Sequence, residues 1–266
     1  MILEKIADDT RVRVAACKEA VLPEAMREAA CTLAKKELQQ DGGRFRFPFE
    51  KALKKPDISF ICEVKKASPS KGIIAEDFDY MTIAKDYEKA GASAISVLTE
   101  PKYFLGDSRY LTEISKEVSV PLLRKDFVVD AYQIYEAKVI GASAVLLICE
   151  ITEEKELEQY LDIAHGLGLS ALVEAHTPEQ IDKAVRSGAR IIGANNRDLK
   201  NFQVDVDTAK RLRCLVPENV LFVSESGIRT PEEIACLREA QVDAVLIGET
   251  LMRSEEKTKT LAWLKG

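Results

Sequence analysis

Four short apolar runs in this chain end in residues that can move protons or hold anions. They are Ile61-Cys62-Glu63-Val64-Lys65, Leu122-Leu123-Arg124-Lys125, Leu172-Val173-Glu174, and Ile191-Ile192-Gly193-Ala194-Asn195-Asn196-Arg197. Side chains alternate between the two faces of a strand. As strands, these runs put Glu63 and Lys65 on the face of Ile61, Lys125 on that of Leu123, Glu174 on that of Leu172, and Asn195 and Arg197 on that of Gly193. Phe60, Cys62 and Val64 fall on the opposite face, as do Ala171, Val173 and Ala175. One charge at one strand end is ordinary surface pairing. Its recurrence where four apolar runs stop points to a shared site. Lys65, Lys125 and Arg197 converging in a chain of net charge −6 imply a local anion site. Carboxylates set among lysines shift each other's pKa and suit proton transfer.

Two further runs end in glycine, Val223-Ser224-Glu225-Ser226-Gly227 and Leu246-Ile247-Gly248-Glu249. Glycine lets backbone N–H groups approach a ligand, so Ser226, Gly227 and Gly248 are read as a phosphate site. Glu249 is expected to offer its N–H there while its side chain turns to solvent. A branched side chain at Gly227 is expected to fill the path of the phosphate oxygens.

The elements that must position these residues follow from a near-repeat. Ala90-Gly91-Ala92-Ser93-Ala94-Ile95 and Ile140-Gly141-Ala142-Ser143-Ala144-Val145 each set glycine after a helical pattern and before an apolar run. That is the helix-to-strand loop of a βαβ unit. Eight strands are predicted near Ile61, Ile95, Leu122, Leu146, Leu172, Ile192, Phe222 and Leu246, with helices such as Met81–Ala90, Ala131–Ile140, Glu153–His165 and Pro231–Ala240 between them. Short apolar strands alternating with helices imply a parallel sheet covered on both faces. Eight units favour a (β/α)8 TIM barrel. The alternative is an open doubly wound sheet, and no Gly-x-Gly-x-x-Gly follows the first strand to support it. In a barrel the loops after strands seven and eight are the usual phosphate site. Residues 1–57 lie outside the repeat and read as an N-terminal helical extension, broken at Pro23, packed on eight βα units spanning 58–266. The whole is expected to be a single domain, since so short a segment rarely supports its own core.

Composition narrows the function. The acidic balance argues against nucleic acid or an anionic membrane as partner. The first nine residues carry charges where a signal peptide needs an apolar core, and no run is long and apolar enough to suggest a membrane span. The six cysteines form no Cys-x-x-Cys and read as reduced residues of a cytoplasmic protein. His165 and His176 have no metal-ligand spacing, so no metal is expected. The sequence does not reveal oligomeric state. A monomer acting on a small phosphorylated molecule is the working expectation.

Glu63-Val64-Lys65-Lys66-Ala67-Ser68-Pro69-Ser70-Lys71-Gly72 closely resembles the first-strand signature of the indole-3-glycerol phosphate synthases. Leu123-Arg124-Lys125-Asp126-Phe127, Leu172-Val173-Glu174-Ala175-His176, Asn195-Asn196-Arg197-Asp198-Leu199 and Ser224-Glu225-Ser226-Gly227-Ile228 resemble the family's later blocks in the same order. Ala175 and Ala194 depart from it, standing where larger apolar residues are frequent.

The resemblance implies a carbon–carbon lyase of tryptophan biosynthesis that needs no cofactor. It would close the indole ring of 1-(2-carboxyphenylamino)-1-deoxyribulose 5-phosphate with loss of carbon dioxide and water. By position, Lys125 matches the general acid on the carbonyl oxygen and Glu174 the acid–base carboxylate. Lys65 matches the lysine that binds the carboxylate and protonates the departing hydroxyl, and Glu63 would orient and tune Lys65. Asn195 and Arg197 would hold hydroxyl and carboxylate, and Ser68 would join Ser226, Gly227 and Gly248 around the phosphate. Two rivals remain at this point. A phosphoribosylanthranilate isomerase-like barrel would need a rim cysteine paired with an aspartate, and Cys62 has the wrong parity. A non-catalytic sugar-phosphate-binding barrel would need the phosphate loops alone.

Overall fold

The computed structural model describes residues 2–197 and 203–266. Asp198 and Leu199 of the fourth block therefore lie outside the described residues. Eight parallel strands close into one barrel: β1 (Ser59–Val64), β2 (Ala94–Leu98), β3 (Leu122–Lys125), β4 (Ala144–Ile148), β5 (Ser170–Ala175), β6 (Ile191–Asn195), β7 (Leu221–Glu225) and β8 (Ala244–Ile247). Each strand pairs with its sequence neighbours, and β8 pairs with β1 from Ser59↔Ala244 to Cys62↔Ile247. All eight predicted strand centres fall inside these strands.

The strands are apolar on both faces because both faces are covered. Phe60, Cys62, Val145, Leu147, Val173 and Phe222 point outward into the layer beneath the helices. Ile61, Leu123, Leu146, Leu172, Val223 and Leu246 fill the barrel interior. The outer ring comprises α4 (Tyr80–Lys89), α5 (Ser108–Glu117), α6 (Ala131–Val139), α7 (Glu154–Gly166), α8 (Pro178–Arg186), α9 (Asp207–Arg213), α10 (Pro231–Glu239), α11 (Glu249–Met252) and α12 (Lys257–Lys265). Helix starts are chemically marked. Asp79, Asp107 and Asp130 accept hydrogen bonds from the first turns of α4, α5 and α6, and Thr230 with Glu233 forms a capping box on α10. Such caps satisfy amides that the helix leaves unpaired. At the other end of α6, Gly141 takes φ +91°, the left-handed exit that a side chain would oppose.

Before the barrel come α1 (Ile2–Ala20), α2 (Pro23–Gln40) and α3 (Pro48–Leu53). The break expected at Pro23 falls at Val21-Leu22, and Pro23 opens α2, as suits a residue with no N–H to donate. Phe49 and Leu53 of α3 join the interior cluster, and Ser59 at the start of β1 donates to the Leu53 carbonyl at 3.3 Å, so α3 plugs the N-terminal end of the barrel. Leu3 and Ile6 of α1 join the same cluster and also line the cavity at its opposite end. Arg13 and Lys18 of α1 pair with Asp126 at 2.7 Å and Asp130 at 2.5 Å, and Glu37 of α2 accepts from Lys138 at 2.5 Å. Among the described residues, no helix is long and apolar enough to cross a membrane.

Candidate active site

A cavity of about 460 Å³ opens where the strands end. That lies within the range of small-molecule sites. All ten residues singled out from the sequence line it: Glu63, Lys65, Ser68, Lys125, Glu174, Asn195, Arg197, Ser226, Gly227 and Gly248. Strand parity picked out Glu63, Lys65, Lys125, Glu174, Asn195 and Arg197, the glycine-bearing strand ends Ser226, Gly227 and Gly248, and the family resemblance Ser68. The cavity's apolar lining includes Ile6 of α1, Phe104, Phe127, Leu146 and Ile148.

At the floor, Lys125 Nζ lies 3.5 Å from Glu174 Oε2 and 3.6 Å from Glu225 Oε2. The strand that presents Lys125 is pinned from behind by its neighbours in sequence. The Arg124 guanidinium, fully buried, donates to Glu136 at 2.5 Å and to the Gln133 carbonyl at 2.9 Å. Asp126 accepts from Thr99 at 2.8 Å and from Arg13 of α1 at 2.7 Å. Alternation along the strand thus turns Arg124 to the outer layer and Lys125 to the cavity.

The second charged pair is Lys65, which donates to Glu63 Oε1 at 2.5 Å, while Ser96 of β2 donates to the other oxygen at 3.3 Å. Gly248 packs against this pair. A Cβ there would stand 2.5 Å from Glu63 Oε1 and 2.8 Å from Lys65 Nζ. Gly193 likewise leaves room for Glu225, whose Oε1 would lie 2.2 Å from a Cβ at that position.

Burial disfavours every one of these charges, and the neighbours decide which survive. For Lys125 the surrounding Glu174, Glu225 and Glu63 outweigh burial and raise its pKa, so it is an ammonium at neutral pH. For Glu174 burial is outweighed by Lys125 and His176, which hold its carboxyl down at about 2. For Glu225 burial prevails over Lys125 and His176. Burial, with the charges of Glu174 and Glu63, pushes it up to about 7 against the pull of Lys125. Glu63 is held below its usual value because Lys65, Lys125 and Ser96 overcome its burial. The floor therefore holds a ready acid, an ionised base and a carboxyl that titrates near neutrality.

Glu225 and His176 are absent from the sequence reading of the site. The signal for Glu225 was available, since it shares parity with Leu221 and Val223, both in the interior cluster. His176 falls on the face of Glu174, and its Nε2 lies 3.1 Å from Glu174 Oε1.

At the mouth, Ser226 and Gly227 take φ +68° and +83° in succession and turn the chain after β7 toward the cavity. Asn196 braces this turn by donating to Ser224 Oγ and the Ser226 carbonyl, each at 3.0 Å, and Thr250 donates to the Ile228 carbonyl at 2.7 Å. Asn195 Oδ1 accepts from the Arg197 amide at 3.0 Å, which fixes how Arg197 leaves the strand.

Two expectations change here. A side chain at Gly227 would first meet the protein itself. Its Cβ would meet Val204 Cγ1 at 2.3 Å, so the glycine is required by packing and by its left-handed backbone. Nor does the Glu249 side chain point to solvent. It lies 3.7 Å from Arg197 and 3.8 Å from Lys71, and accepts from Arg253 Nε at 3.1 Å. Three cations hold it over the mouth. Replacing Glu249 by Ser should remove a carboxylate that competes with an incoming anion for Lys71 and Arg197. The Michaelis constant for a phosphorylated substrate should fall roughly three- to tenfold, the scale of one or two partly exposed ion pairs. An unchanged or raised constant in steady-state kinetics would show that the carboxylate does not compete with the ligand.

The family profile described as "Indole-3-glycerol phosphate synthase" matches residues 3–264. The chain belongs to the indole-3-glycerol phosphate synthase family. Proteins of that name from Ruminiclostridium cellulolyticum and Endomicrobium trichonymphae are 53% identical over 266 residues and 52% identical over 265 residues. The alignments cover 100% of this chain in both cases, and 99% and 100% of the relatives. Among solved structures, 3-hexulose-6-phosphate synthase from Salmonella typhimurium superposes with a TM-score of 0.64 at 12% identity, covering 78% of this chain and 96% of that one. A chain from the tryptophan synthase complex of Pyrococcus furiosus superposes with a TM-score of 0.57 at 14% identity, covering 78% and 97%. At these identities the likeness is one of fold.

Among the described residues no cysteine lines the cavity, as the isomerase-like alternative would need. Cys62 is buried on the outer face of β1, where desolvation pushes its pKa up to about 12. The two alanines that depart from the family pattern, Ala175 and Ala194, sit opposite each other in the β5–β6 ladder, buried under the helices and away from the cavity.

Proposed function

We propose that this cavity performs the reaction for which the family is named, and that Lys125, Glu174 and Lys65 carry its proton transfers. The substrate is 1-(2-carboxyphenylamino)-1-deoxyribulose 5-phosphate. Its aromatic ring would lie against Phe104, Phe127 and Leu146, with its phosphate at Ser68, Ser226, Gly227 and Gly248. The ring carbon bearing the carboxylate attacks the ketose carbonyl, with electron density supplied by the anilino nitrogen. Lys125, an ammonium held among carboxylates, protonates the developing alkoxide. The carbon–carbon bond to the carboxylate then breaks, carbon dioxide leaves, and the electron pair stays in the ring. Lys65 protonates the departing hydroxyl, and Glu174 takes a proton from carbon as the pyrrole ring becomes aromatic. Glu63 keeps Lys65 charged and aimed, and Asn195 and Arg197 hold the hydroxyl and carboxylate.

The observation that carries the reading is one lysine, Lys125, within 3.6 Å of two buried carboxylates in a cavity with an apolar lining. A scaffold that only bound a sugar phosphate would have no use for that cost of desolvation. Because Ile2, Leu3 and Ile6 line the cavity, residues 1–57 are read as part of the same unit as the barrel. The chain supplies the cavity residues from itself, which fits a monomer, and its free cysteines fit a cytoplasmic setting. The test is direct. Purified protein, with a chelator and no added cofactor, should convert the ribulose phosphate to a fluorescent indole. No indole from folded protein would sink the proposal.

A further inference from the structure

The turn between β2 and α5 brings one residue to the cavity, Phe104. Among the described residues, Phe104 and Phe127 supply the aromatic lining, their ring centroids 6.0 Å apart and their planes tilted by 39°. The backbone around Phe104 is not a relaxed one. Leu105 takes φ +52°, a left-handed conformation that its side chain opposes. Gly106 passes so close to β2 that a Cβ there would collide with the Leu98 carbonyl. Strained backbone of this kind clusters at ligand sites and persists only where the surroundings over-determine it.

What over-determines this turn is a buried carboxylate. Glu100 is 3% exposed and does not line the cavity. Its Oε1 accepts from the Lys102 N–H at 3.0 Å. Its Oε2 accepts from the N–H groups of Tyr103 at 2.6 Å and Phe104 at 3.0 Å. Three consecutive amides thus converge on one side chain, as they would on a bound anion. The Glu100 carbonyl closes the turn by accepting from the Gly106 N–H at 2.8 Å. Phe104 is held on both sides of its Cα, because its own carbonyl accepts from the Ala67 N–H at 3.2 Å. Farther out, Asp9 of α1 accepts from Lys102 Nζ at 2.8 Å and from the Tyr103 hydroxyl. Lys102 is mostly exposed there, and exposed pairs hold little, so the buried carboxylate is the main restraint.

We infer that Glu100 is a positioning residue for the aromatic half of the substrate, fixing the backbone of Phe104 so that its ring stands beside that of Phe127. The inference rests on the reading that the substrate's ring lies against these two residues. Glu100 acts through Phe104 and touches neither the substrate nor the groups that move protons.

A merely structural carboxylate would weaken every ligand alike when lost. A positioning one spares ligands that lack the ring. Glu100→Gln turns an NH2 group toward amides that need an acceptor. The KM for the carboxyphenylamino-ribulose phosphate should rise roughly tenfold, the scale of a lost aromatic contact. Competitive inhibition by ribulose 5-phosphate, which has the sugar phosphate without the ring, should stay within about twofold. Glu100→Asp keeps the carboxyl group but shortens its reach. It should raise KM by about threefold, and it gives the same comparison if the amide variant does not fold. With Phe104→Ala already in place, either Glu100 substitution should change KM by less than about twofold, since the ring it aims is gone. Equal weakening of both ligands, an undiminished effect beside Phe104→Ala, or no rise in KM would overturn the assignment. Failure of the unmodified protein to form indole, or an unchanged KM in Phe104→Ala alone, would instead overturn the reading on which it rests.

Discussion

Lys125→Ala should lower turnover roughly 10²–10⁴-fold, the usual contribution of a general acid. The ammonium is the group best placed to meet an alkoxide at the cavity floor, and its carboxylate neighbours keep it charged. Steady-state assay of indole formation reads the effect. Turnover near that of the unmodified chain would pass the role to Lys65, which donates to Glu63 in the same cavity.

The same substitution also tests the electrostatics. From sequence alone a strand-end cation has no packing role, and its removal should leave the barrel intact. In the structure it offsets two buried carboxylates, and removing one partner of a buried pair costs about 3–5 kcal/mol when the other stays charged. Glu225 softens this by taking a proton, since its carboxyl already sits at about 7. Without Lys125 the pKa values of Glu225 and Glu174 both move up. A carboxyl whose folded pKa is raised gives up stability as pH rises through that value. The fall in Tm relative to the unmodified protein should therefore be larger at pH 8 than at pH 6, a contrast that thermal melts would measure.

Much of this was legible in the chain because a parallel barrel has simple rules. Strands buried on both faces read as apolar runs, and alternation then sorted Glu63, Lys125 and Glu174 inward and Cys62 outward. What stayed hidden depends on distance rather than pattern. Nothing in Gly248-Glu249 tells that Lys71 and Arg197, from two separate stretches, join the i+4 neighbour Arg253 around the Glu249 carboxylate. Nor does Ser226-Gly227 announce Val204 behind it. Glu225 is a different case. Parity marks it as plainly as Glu174, but a search for phosphate loops reads the glycine after it instead. His176 needed coordinates, because a histidine two residues after a carboxylate is as easily a solvent-facing neighbour as a partner.

Glu174→Gln should abolish most turnover, roughly 10²–10⁴-fold, while substrate affinity is largely kept. The amide preserves volume and can still accept from Lys125, but it cannot take a proton from carbon. Its removal of one negative charge also reorders the floor. Glu174 is one of the groups that push Glu225 up, so without it the Glu225 carboxyl should drop below its present value of about 7. Glu225 then ionises more fully and pairs with Lys125, which lies 3.6 Å away. Lys125 thus stays an ammonium, and the first step, protonation of the alkoxide, should survive better than the last. The variant is therefore expected to bind substrate and to accumulate material that has closed its ring but not become an indole, visible by rapid quench and mass analysis. If affinity alone fell and turnover at saturation held, Glu174 would be a binding residue. The proton taken from carbon would then have to go to Glu225, the remaining buried carboxylate beside Lys125.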